Sequence, residues 1–332
     1  MRVFVTGATG FLGQPLTWAM LRRGWELTAL VRRTDTTPVR LLRQAGVKLV
    51  MGDLVTSERG LLREAMRGAD LVFHNAGWYE LGLPAKDRPA MRAVNVEATD
   101  TLLSLARQQD VRKIVFTSST TALGDTAGAL ADESFERAAP ALSYYEETKT
   151  EAHALALSYQ KRGTPLVIVC PAQVIGPGDQ SPFGYFARLY VRGRMPPAAW
   201  APDAIYTMAH VDDVAEGMAL AAEKGQPGQT YILGGASLSM RALMETWKQT
   251  PGGIKPFIWL PRPLASFTGL VAGPLLRGLG QRAFLSLEVI NSSYVSFRYS
   301  SARAERELGA HFRPAEQAWR DTLAAERAAW RP

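Results

Sequence analysis

Two side chains four residues apart in a helical segment, Tyr145 and Lys149, could exchange a proton with a substrate. Residues at i and i+4 share one helix face, so the ammonium can lie beside the phenol. A free tyrosine titrates at about 10, and a neighbouring positive charge lowers that pKa. Tyr145 is therefore predicted to be a general acid or base. Tyr144 is excluded because Thr148 follows it at the lysine position. Ser119, earlier in the chain, could hydrogen-bond a substrate oxygen as charge develops on it.

A glycine-rich segment near the start of the chain has the spacing of a phosphate-binding turn. The segment Thr6–Gly13 follows a short apolar run and precedes a helical pattern over residues 14–23. Gly7 permits a tight turn, Gly10 lets the backbone approach a pyrophosphate, and Gly13 lets the helix pack on the strand. The helix N-terminus then offers free N–H groups to the phosphates. The predicted cofactor-binding residues here are Gly7, Thr9, Gly10, Phe11, Leu12 and Gly13.

The residues after the second predicted strand, Glu26–Val31, indicate which dinucleotide is bound. An acidic side chain at this point would accept a hydrogen bond from the ribose 2′-hydroxyl of NAD, whereas arginine pairs with a 2′-phosphate. Arg32 and Arg33 occupy the position, and Asp35 follows too late for ribose binding. We therefore expect NADP as the cofactor, with NAD as the less favoured alternative.

Apolar runs that alternate with helical segments predict the architecture that positions these groups. Six runs have the character of buried parallel strands, at 3–5, 26–31, 47–50, 71–74, 114–119 and 166–169, and helical segments lie between them. This order predicts an α/β fold of the Rossmann type, with a doubly wound parallel sheet. Residues 1–174 and about 206–235 are expected to form the dinucleotide-binding domain. A smaller substrate lobe is expected from about 175–205 and 236–332.

Composition excludes several other classes of protein. The formal net charge is +7, but the basic residues are scattered, so we expect no nucleic-acid binding. One cysteine, Cys170, and four histidines without ligand spacing predict no metal site. No stretch reaches the roughly 18 apolar residues that a membrane helix needs. A cytoplasmic location is therefore expected.

The motifs, in their order and spacing, resemble those of the extended short-chain dehydrogenase/reductase family. The resemblance rests on Thr6–Gly13, Asp53-Leu54, Asn75-Ala76-Gly77, Asn95, Thr117-Ser118-Ser119, Tyr145–Lys149, Pro171–Pro177 and His210–Ala215. It implies that Asp53 binds the adenine amino group and Leu54 packs on the ring. It also implies cofactor contacts from Asn75, Ala76, Gly77, Thr117, Pro171 and Val174, and from Tyr145 and Lys149. Ser119 is preferred to Ser118 because it stands five residues before Gly124, as in the family. Asn95 joins the catalytic set as a residue that holds the active-site backbone.

Within the family, the sequence is most similar to the dihydroflavonol reductase-like and 3β-hydroxysteroid dehydrogenase-like members. The 4,6-dehydratases share an Asp-Glu pair at the position that Thr120-Thr121 occupy here. Sugar-nucleotide epimerases typically have asparagine at the position of Gln173. The resemblance thus implies a reductase or dehydrogenase that interconverts a ketone and a secondary alcohol on an apolar, ring-containing substrate. A nucleotide-sugar epimerase with tightly bound NAD and an NADP-sensing regulatory protein are the alternatives.

The substrate is expected to meet Trp78, Tyr79, Gln173 and Tyr185. Further lobe aromatics, half of which could be simple core, are Phe183, Phe186, Tyr190, Trp200, Trp259, Phe267 and Phe284. The apolar segment 261–279 is expected to be a pocket wall or a lid, with a membrane-touching helix as the alternative. The resemblance also implies a homodimer.

Overall fold

A sheet of parallel strands carries most of the sequence motifs at one of its edges. The computed structural model describes residues 1–248, 250–251, 253, 256–279 and 284–330. Residues 249, 252, 254–255, 280–283 and 331–332 of the predicted substrate lobe lie outside the described residues. The strands are β1 (Arg2–Thr6), β2 (Glu26–Val31), β3 (Lys48–Met51), β4 (Leu71–His74), β5 (Lys113–Thr117), β6 (Leu166–Pro171), β7 (Gln173–Ile175), β8 (Ala198–Ala199), β9 (Ile205–His210), β10 (Thr230–Leu233), β11 (Ser237–Ser239) and β12 (Ile258–Trp259).

Helices separate the strands and cover both faces of the sheet. They are α1 (Gly13–Arg22), α2 (Thr37–Gln44), α3 (Arg59–Ala65), α4 (Arg88–Arg92), α5 (Ala98–Gln108), α6 (Thr120–Leu123), α7 (Tyr144–Lys161), α8 (Pro182–Val191), α9 (Val211–Lys224), α10 (Met240–Trp247), α11 (Arg262–Gly278), α12 (Leu287–Ser292), α13 (Ala302–Leu308) and α14 (Ala315–Ala329). A short π-helix, Ala93–Glu97, joins α4 to α5. No helix among the described residues has both the length and the apolar character needed to cross a membrane.

The predicted doubly wound α/β fold is confirmed. In the described part of the chain the large sheet has the order β10-β6-β5-β4-β1-β2-β3, and its neighbouring strands pair in parallel. The strands are apolar because both faces are covered, and every residue of β6 is buried. The chain winds outward in both directions from β1, and ligands of such sheets bind beyond the carboxyl ends at this switch point.

The register of the sheet brings the motif-bearing strand ends side by side. Thr6, the last residue of β1, pairs with His74, the last residue of β4, and His74 pairs with Phe116 of β5. Thr117 in turn pairs with Val169 of β6. The loops that leave β1, β4, β5 and β6 therefore open onto the same edge.

A second layer of structure stands above that edge. Strand β9 pairs with β7 and β11 in a small sheet, while β10 extends the large sheet and α9 packs on α1. Helices α8, α10 and α14 cover the small sheet around a core that includes Tyr190, Trp247 and Trp319. The space left between the two sheets is the cavity that holds the candidate site.

Candidate active site

One cavity of about 830 Å³ runs along the carboxyl edge of the large sheet and into the second layer. Nearly all the residues predicted for the site line it. They are Gly7, Thr9, Gly10, Phe11, Leu12, Gly13, Arg32, Asp53, Leu54, Asn75, Ala76, Gly77, Trp78, Tyr79, Asn95, Thr117, Ser119, Tyr145, Lys149, Pro171, Gln173 and Val174. Two predicted site residues, Arg33 and Tyr185, do not line it.

The glycine-rich turn shows a different need for glycine at each of its three positions. Gly7 has φ +72°, and a Cβ there would lie 2.7 Å from the Ala76 backbone nitrogen. A Cβ on Gly13 would lie 1.8 Å from the Gly7 carbonyl oxygen, so neither position accepts a side chain. Gly10 is exposed, and a Cβ there would meet the Gly7 oxygen at a tolerable 3.4 Å. The protein's own packing thus requires Gly7 and Gly13, whereas the open surface at Gly10 suits the close approach of a ligand.

The N-terminus of α1 lies at the same part of the cavity, because its first residue, Gly13, lines the cavity. No side chain caps this helix end, and its first turn holds no acidic residue. The positive end of the helix dipole favours an anion at this position. The end of α1 therefore fits a phosphate group.

The two arginines after β2 have different surroundings. Arg32 lines the cavity, and its guanidinium takes part in no salt bridge among the described residues. Arg33 does not line the cavity. Its guanidinium donates two hydrogen bonds to the Asp35 carboxylate, from Nε at 3.1 Å and from Nη2 at 2.9 Å. This pairing lowers the pKa of Asp35 through hydrogen bonds from Arg33. The structure therefore separates the predicted pair: Arg32 lines the cavity, and Arg33 pairs with Asp35 on the exposed surface.

Asp53 and Leu54 line the cavity next to the arginine end. The Asp53 carboxylate accepts hydrogen bonds from the backbone N–H groups of Val55 (2.8 Å) and Thr56 (3.2 Å). The local turn thus fixes the side chain.

Ser119 and Tyr145 come from the starts of two helices, α6 and α7, that pack on each other. Ser119 caps α6, and its Oγ accepts a hydrogen bond from the Thr121 N–H at 3.1 Å. Tyr145 lies in the first turn of α7, which Ser143 caps by accepting a hydrogen bond from the Glu146 N–H. Both side chains are therefore held by rigid helix ends rather than by mobile loops.

Lys149 lies one turn beyond Tyr145, as the spacing predicts. Its ammonium is buried, donates a 2.9 Å hydrogen bond to the Thr117 carbonyl and lies 5.4 Å above the Phe116 ring. Burial lowers the pKa of Lys149 to about 8. The lysine is thus anchored to the end of β5 at the floor of the cavity.

The acidity of Tyr145 differs from the sequence expectation. Burial raises the pKa of its phenol to about 12, and a hydrogen bond with Ser119 opposes that rise. The predicted lowering by Lys149 is wrong for the protein's own groups, since desolvation dominates and the ammonium is engaged by Thr117. The ring of Tyr79 packs edge-on against that of Tyr145, with 4.8 Å between centroids. A phenol with this pKa holds its proton at neutral pH and is ready to donate it.

Asn95 binds the backbone of Trp78 from both sides. Its Oδ1 accepts from the Trp78 N–H at 2.7 Å, and its Nδ2 donates to the Trp78 carbonyl and to Thr148 Oγ1, each at 3.0 Å. Asn95 lies in the π-helix, a rare irregularity that often occurs at functional sites. The structure therefore makes Asn95 a positioning residue that joins the Trp78 loop to α7.

A buried chain of hydrogen bonds supports Asn95 from below. The Ala76 N–H donates to Thr6 Oγ1 (3.2 Å), which lies 2.9 Å from His74 Nδ1, and His74 Nε2 lies 2.9 Å from Thr99 Oγ1. The Thr99 hydroxyl donates its hydrogen to the Asn95 carbonyl at 2.8 Å. Its oxygen therefore accepts a hydrogen bond from His74 Nε2, so the imidazole is neutral with its proton on Nε2. Burial lowers the pKa of His74 to about 3. The chain links the glycine-rich turn to the π-helix without any charge.

An ion pair beside Tyr145 is a feature that the sequence analysis missed. Arg137 binds the buried Glu146 at 2.5 Å and donates to the Thr121 carbonyl at 2.7 Å, next to Ser119. It therefore joins the start of α6 to the start of α7. No motif marks Arg137, because its long loop carries no periodic pattern; only the acidic residue after Tyr145 could have suggested a partner.

The end of the cavity away from the glycine-rich turn is mostly apolar. Trp78, Tyr79 and Gln173 line it, as predicted, together with Phe183, Phe186 and Trp200. The sequence analysis did not identify Met195, Met244, Val289 and Phe297, which also line it.

Other predicted aromatics lie outside the cavity. Tyr185 does not line the cavity, and its ring stacks on that of Phe284 with 4.6 Å between centroids; its contact with substrate stays a prediction. Tyr190 is buried in the lobe core. No residue of the segment 261–279 lines the cavity, so the expected pocket wall is not found there.

The comparisons with known proteins agree with this geometry. Residues 3–234 match the model of the NAD dependent epimerase/dehydratase family. The chain is 31% identical to a proposed dihydroflavonol 4-reductase of a Synechocystis species, over 96% of this chain and 93% of the relative. It is 32% identical to the 4-hydroxy-2-methyl-3-oxo-4-farnesyl-3,4-dihydroquinoline-1-oxide ketoreductase of Stigmatella aurantiaca, over 76% of this chain and 74% of the relative.

A solved structure, that of gox2253, superposes with a TM-score of 0.81 at 33% identity and covers 99% of this chain and 98% of its own. The fold, the lining of the cavity and the sequence matches converge on one answer. The chain belongs to the NAD-dependent epimerase/dehydratase family, and within it is an NAD(P)-dependent oxidoreductase that acts on CH–OH groups.

Proposed function

We propose that this enzyme uses NADP(H) to interconvert a ketone and a secondary alcohol on an apolar, ring-containing substrate. One observation carries the proposal: Ser119, Tyr145 and Lys149 line a single cavity that has Arg32 at one end and an apolar lobe at the other. A cofactor and a substrate in this cavity would meet at the tyrosine.

The residues at the glycine-rich end fit a dinucleotide with a 2′-phosphate. The open surface at Gly10 and the uncapped N-terminus of α1 suit the pyrophosphate, and Arg32 suits the 2′-phosphate. Asp53 and Leu54 would hold the adenine, and Lys149 the ribose next to the nicotinamide. When bound, the cofactor gives or takes a hydride at nicotinamide C4.

The protein's own groups handle the proton and the substrate oxygen. In reduction, the Tyr145 hydroxyl donates its proton to the carbonyl oxygen, and the Ser119 hydroxyl donates a hydrogen bond to that oxygen. The raised pKa of Tyr145 keeps the proton in place for this direction. In oxidation, the tyrosine must first lose its proton, and the Lys149 ammonium favours that loss when it approaches the phenol.

The lobe end of the cavity supports an apolar substrate. Trp78, Phe186, Trp200 and Val289 present rings and aliphatic groups there, and Gln173 adds a neutral amide. Two relatives are named for the reduction of ring ketones, a dihydroflavonol and a farnesylated quinoline oxide. A similar substrate class is our proposal for this chain.

The first experiment measures the contribution of Arg32 and of Arg33 to cofactor preference. Purified protein is titrated with NADPH and NADH by fluorescence, for the wild type, Arg32→Ala and Arg33→Ala. We expect NADPH to bind at least about tenfold more tightly than NADH, because a guanidinium–phosphate pair adds over 1 kcal/mol. Arg32→Ala should remove the preference, and Arg33→Ala should keep it because Arg33 is bound by Asp35.

The outcomes distinguish the alternatives. Equal or tighter binding of NADH by the wild type would refute the 2′-phosphate contact and favour an epimerase with bound NAD. NADPH binding without turnover of any ring ketone would favour a regulatory protein. The division into domains 1–174 with 206–235 and 175–205 with 236–332, the homodimer and the cytoplasmic location stay predictions.

A further inference from the structure

Helix α11 turns an apolar face outward. Its side chains Leu264, Phe267, Leu270, Val271 and Leu275 are between 48% and 63% exposed. They recur at spacings of three and four residues and therefore form one stripe, here called the α11 apolar face. A surface helix normally turns its polar side to water, so this stripe requires an explanation.

The opposite face of α11 fixes this orientation. Ala265, Gly269 and Gly273 are buried on it. A Cβ on Gly269 would lie 2.7 Å from Ile290 Cδ1, and a Cβ on Gly273 would lie 3.1 Å from the Ser286 Cα. Only small residues allow this contact with α12, so the helix cannot roll over and bury its large apolar side chains.

The sequence around the helix is basic, but Glu288 of α12 lies close enough to Arg277 for the two charges to attract each other. Between Glu245 and Glu288 the sequence holds no acidic residue and five basic ones, and the whole chain carries +7. Arg262 and Arg277 stand exposed at the two ends of α11. Neither takes part in an ion pair among the described residues. Arg277 donates to the Gly82 carbonyl.

We propose that the α11 apolar face docks this enzyme on an anionic lipid surface. A helix of 17 residues is about 25 Å long and would lie in the plane of the interface, with its apolar side chains among the acyl chains. Arg262, exposed at the start of the helix, would meet anionic headgroups, aided by the net positive charge of the chain. On the other side of α11, Val289 and Ser292 of α12 line the cavity, so docking would bring the cavity's apolar end close to the membrane.

Two other occupants fit the observations less well. A second copy would set the same face against itself and bring two basic segments together, and this repulsion disfavours that arrangement. A lid would need the apolar side chains to point at the cavity, whereas α12 stands between them and it. This proposal does not depend on the reaction or on the cofactor.

The test is vesicle flotation with the full-length protein. The wild type is mixed with vesicles of phosphatidylcholine that contain about one third phosphatidylglycerol, and with pure phosphatidylcholine vesicles. The test variant is Phe267→Gln with Leu275→Gln. The matched control is Leu41→Gln with Leu130→Gln, two leucines that are 43% and 60% exposed elsewhere. Circular dichroism and thermal unfolding confirm that each variant is folded.

We expect the wild type and the control to float with anionic vesicles and to release at high salt. The test variant should partition at least about tenfold less, since apolar insertion and headgroup attraction act together. Wild-type protein that stays unbound to anionic vesicles, or a test variant that binds like the control, would overturn the proposal. Two further results would also overturn it. If the wild type and the control form a dimer and the test variant does not, the face binds a second copy. If the test variant binds vesicles like the wild type but has a changed KM for a water-soluble ketone, the helix acts as a lid.

Discussion

The hydrogen bonds of Asn95 predict a specific loss when its amide becomes a carboxylate. Asn95→Asp keeps the shape of the side chain and the acceptor for the Trp78 N–H. It removes the two hydrogen bonds donated by Nδ2, to the Trp78 carbonyl and to Thr148 Oγ1. The Trp78 carbonyl and the carboxylate then repel each other in a buried position.

The magnitude follows from these contacts. Each lost hydrogen bond contributes about 1 kcal/mol, and a buried acceptor left unsatisfied costs about 1–3 kcal/mol. We therefore expect Asn95→Asp to lower the free energy of unfolding by about 2–4 kcal/mol at about pH 8. Protonation of the new carboxyl in acid restores one donor, so the deficit should shrink at about pH 5.

The same change should affect catalysis through position alone. The Trp78 backbone leads directly to Tyr79, whose ring packs on Tyr145. A shifted loop should lower kcat by about tenfold or more, because small displacements of a reacting group are costly. NADPH affinity should change much less, since Asn95 does not form the glycine-rich turn.

The assay is urea unfolding by linear extrapolation at both pH values, with steady-state kinetics on folded protein. Asn291→Asp is the matched control, because among the described residues the Asn291 side chain has a single hydrogen bond, accepted from Ser266 Oγ at 3.5 Å. The control should stay within about 0.5 kcal/mol of the wild type. An Asn95→Asp variant as stable and active as the control at about pH 8 would refute the positioning role.

Three further outcomes can be checked with single substitutions. Tyr145→Phe should lower kcat/KM by about 10²–10⁴-fold in steady-state assays and leave NADPH binding intact, since only the proton donor is lost; wild-type activity would contradict the mechanism. Burial raises the pKa of Asp179 to about 6, so its contribution to stability declines as the pH rises from about 4 to about 6. Asp179→Asn should therefore be more stable than the wild type by up to about 3 kcal/mol at about pH 8 in urea melts, and equal to it at about pH 4; a pH-independent difference would argue against it. Gly13→Ala should fail to fold because its Cβ would lie 1.8 Å from a carbonyl oxygen, whereas Gly10→Ala should fold and bind NADPH more weakly. Circular dichroism would detect the first effect and cofactor titration the second. A folded Gly13→Ala variant, or a Gly10→Ala variant with wild-type NADPH affinity, would contradict these roles.

The sequence by itself determined the architecture and brought most of the predicted site residues to one cavity. Strand and helix periodicity are local properties, and parallel strands separated by helices have few alternative arrangements. The three glycines of the turn and the spacing of Tyr145 and Lys149 are local in the same sense, so their place at the sheet edge follows from the chain order. This is why 22 of the predicted site residues meet in one cavity.

Only the tertiary structure decided how these groups are tuned. Arg32 and Arg33 are equivalent in sequence, and the structure places Arg32 in the cavity lining and Arg33 in an exposed pair with Asp35. The pKa of Tyr145 rises because burial depends on the whole fold, and the contact between Arg137 and Glu146 joins a loop to a helix. The apolar segment 261–279 is compatible with a wall, a lid or an exposed face, and the packing of its glycines on α12 selects the exposed face. Desolvation and long-range contacts are sums over distant residues, and no local pattern encodes them.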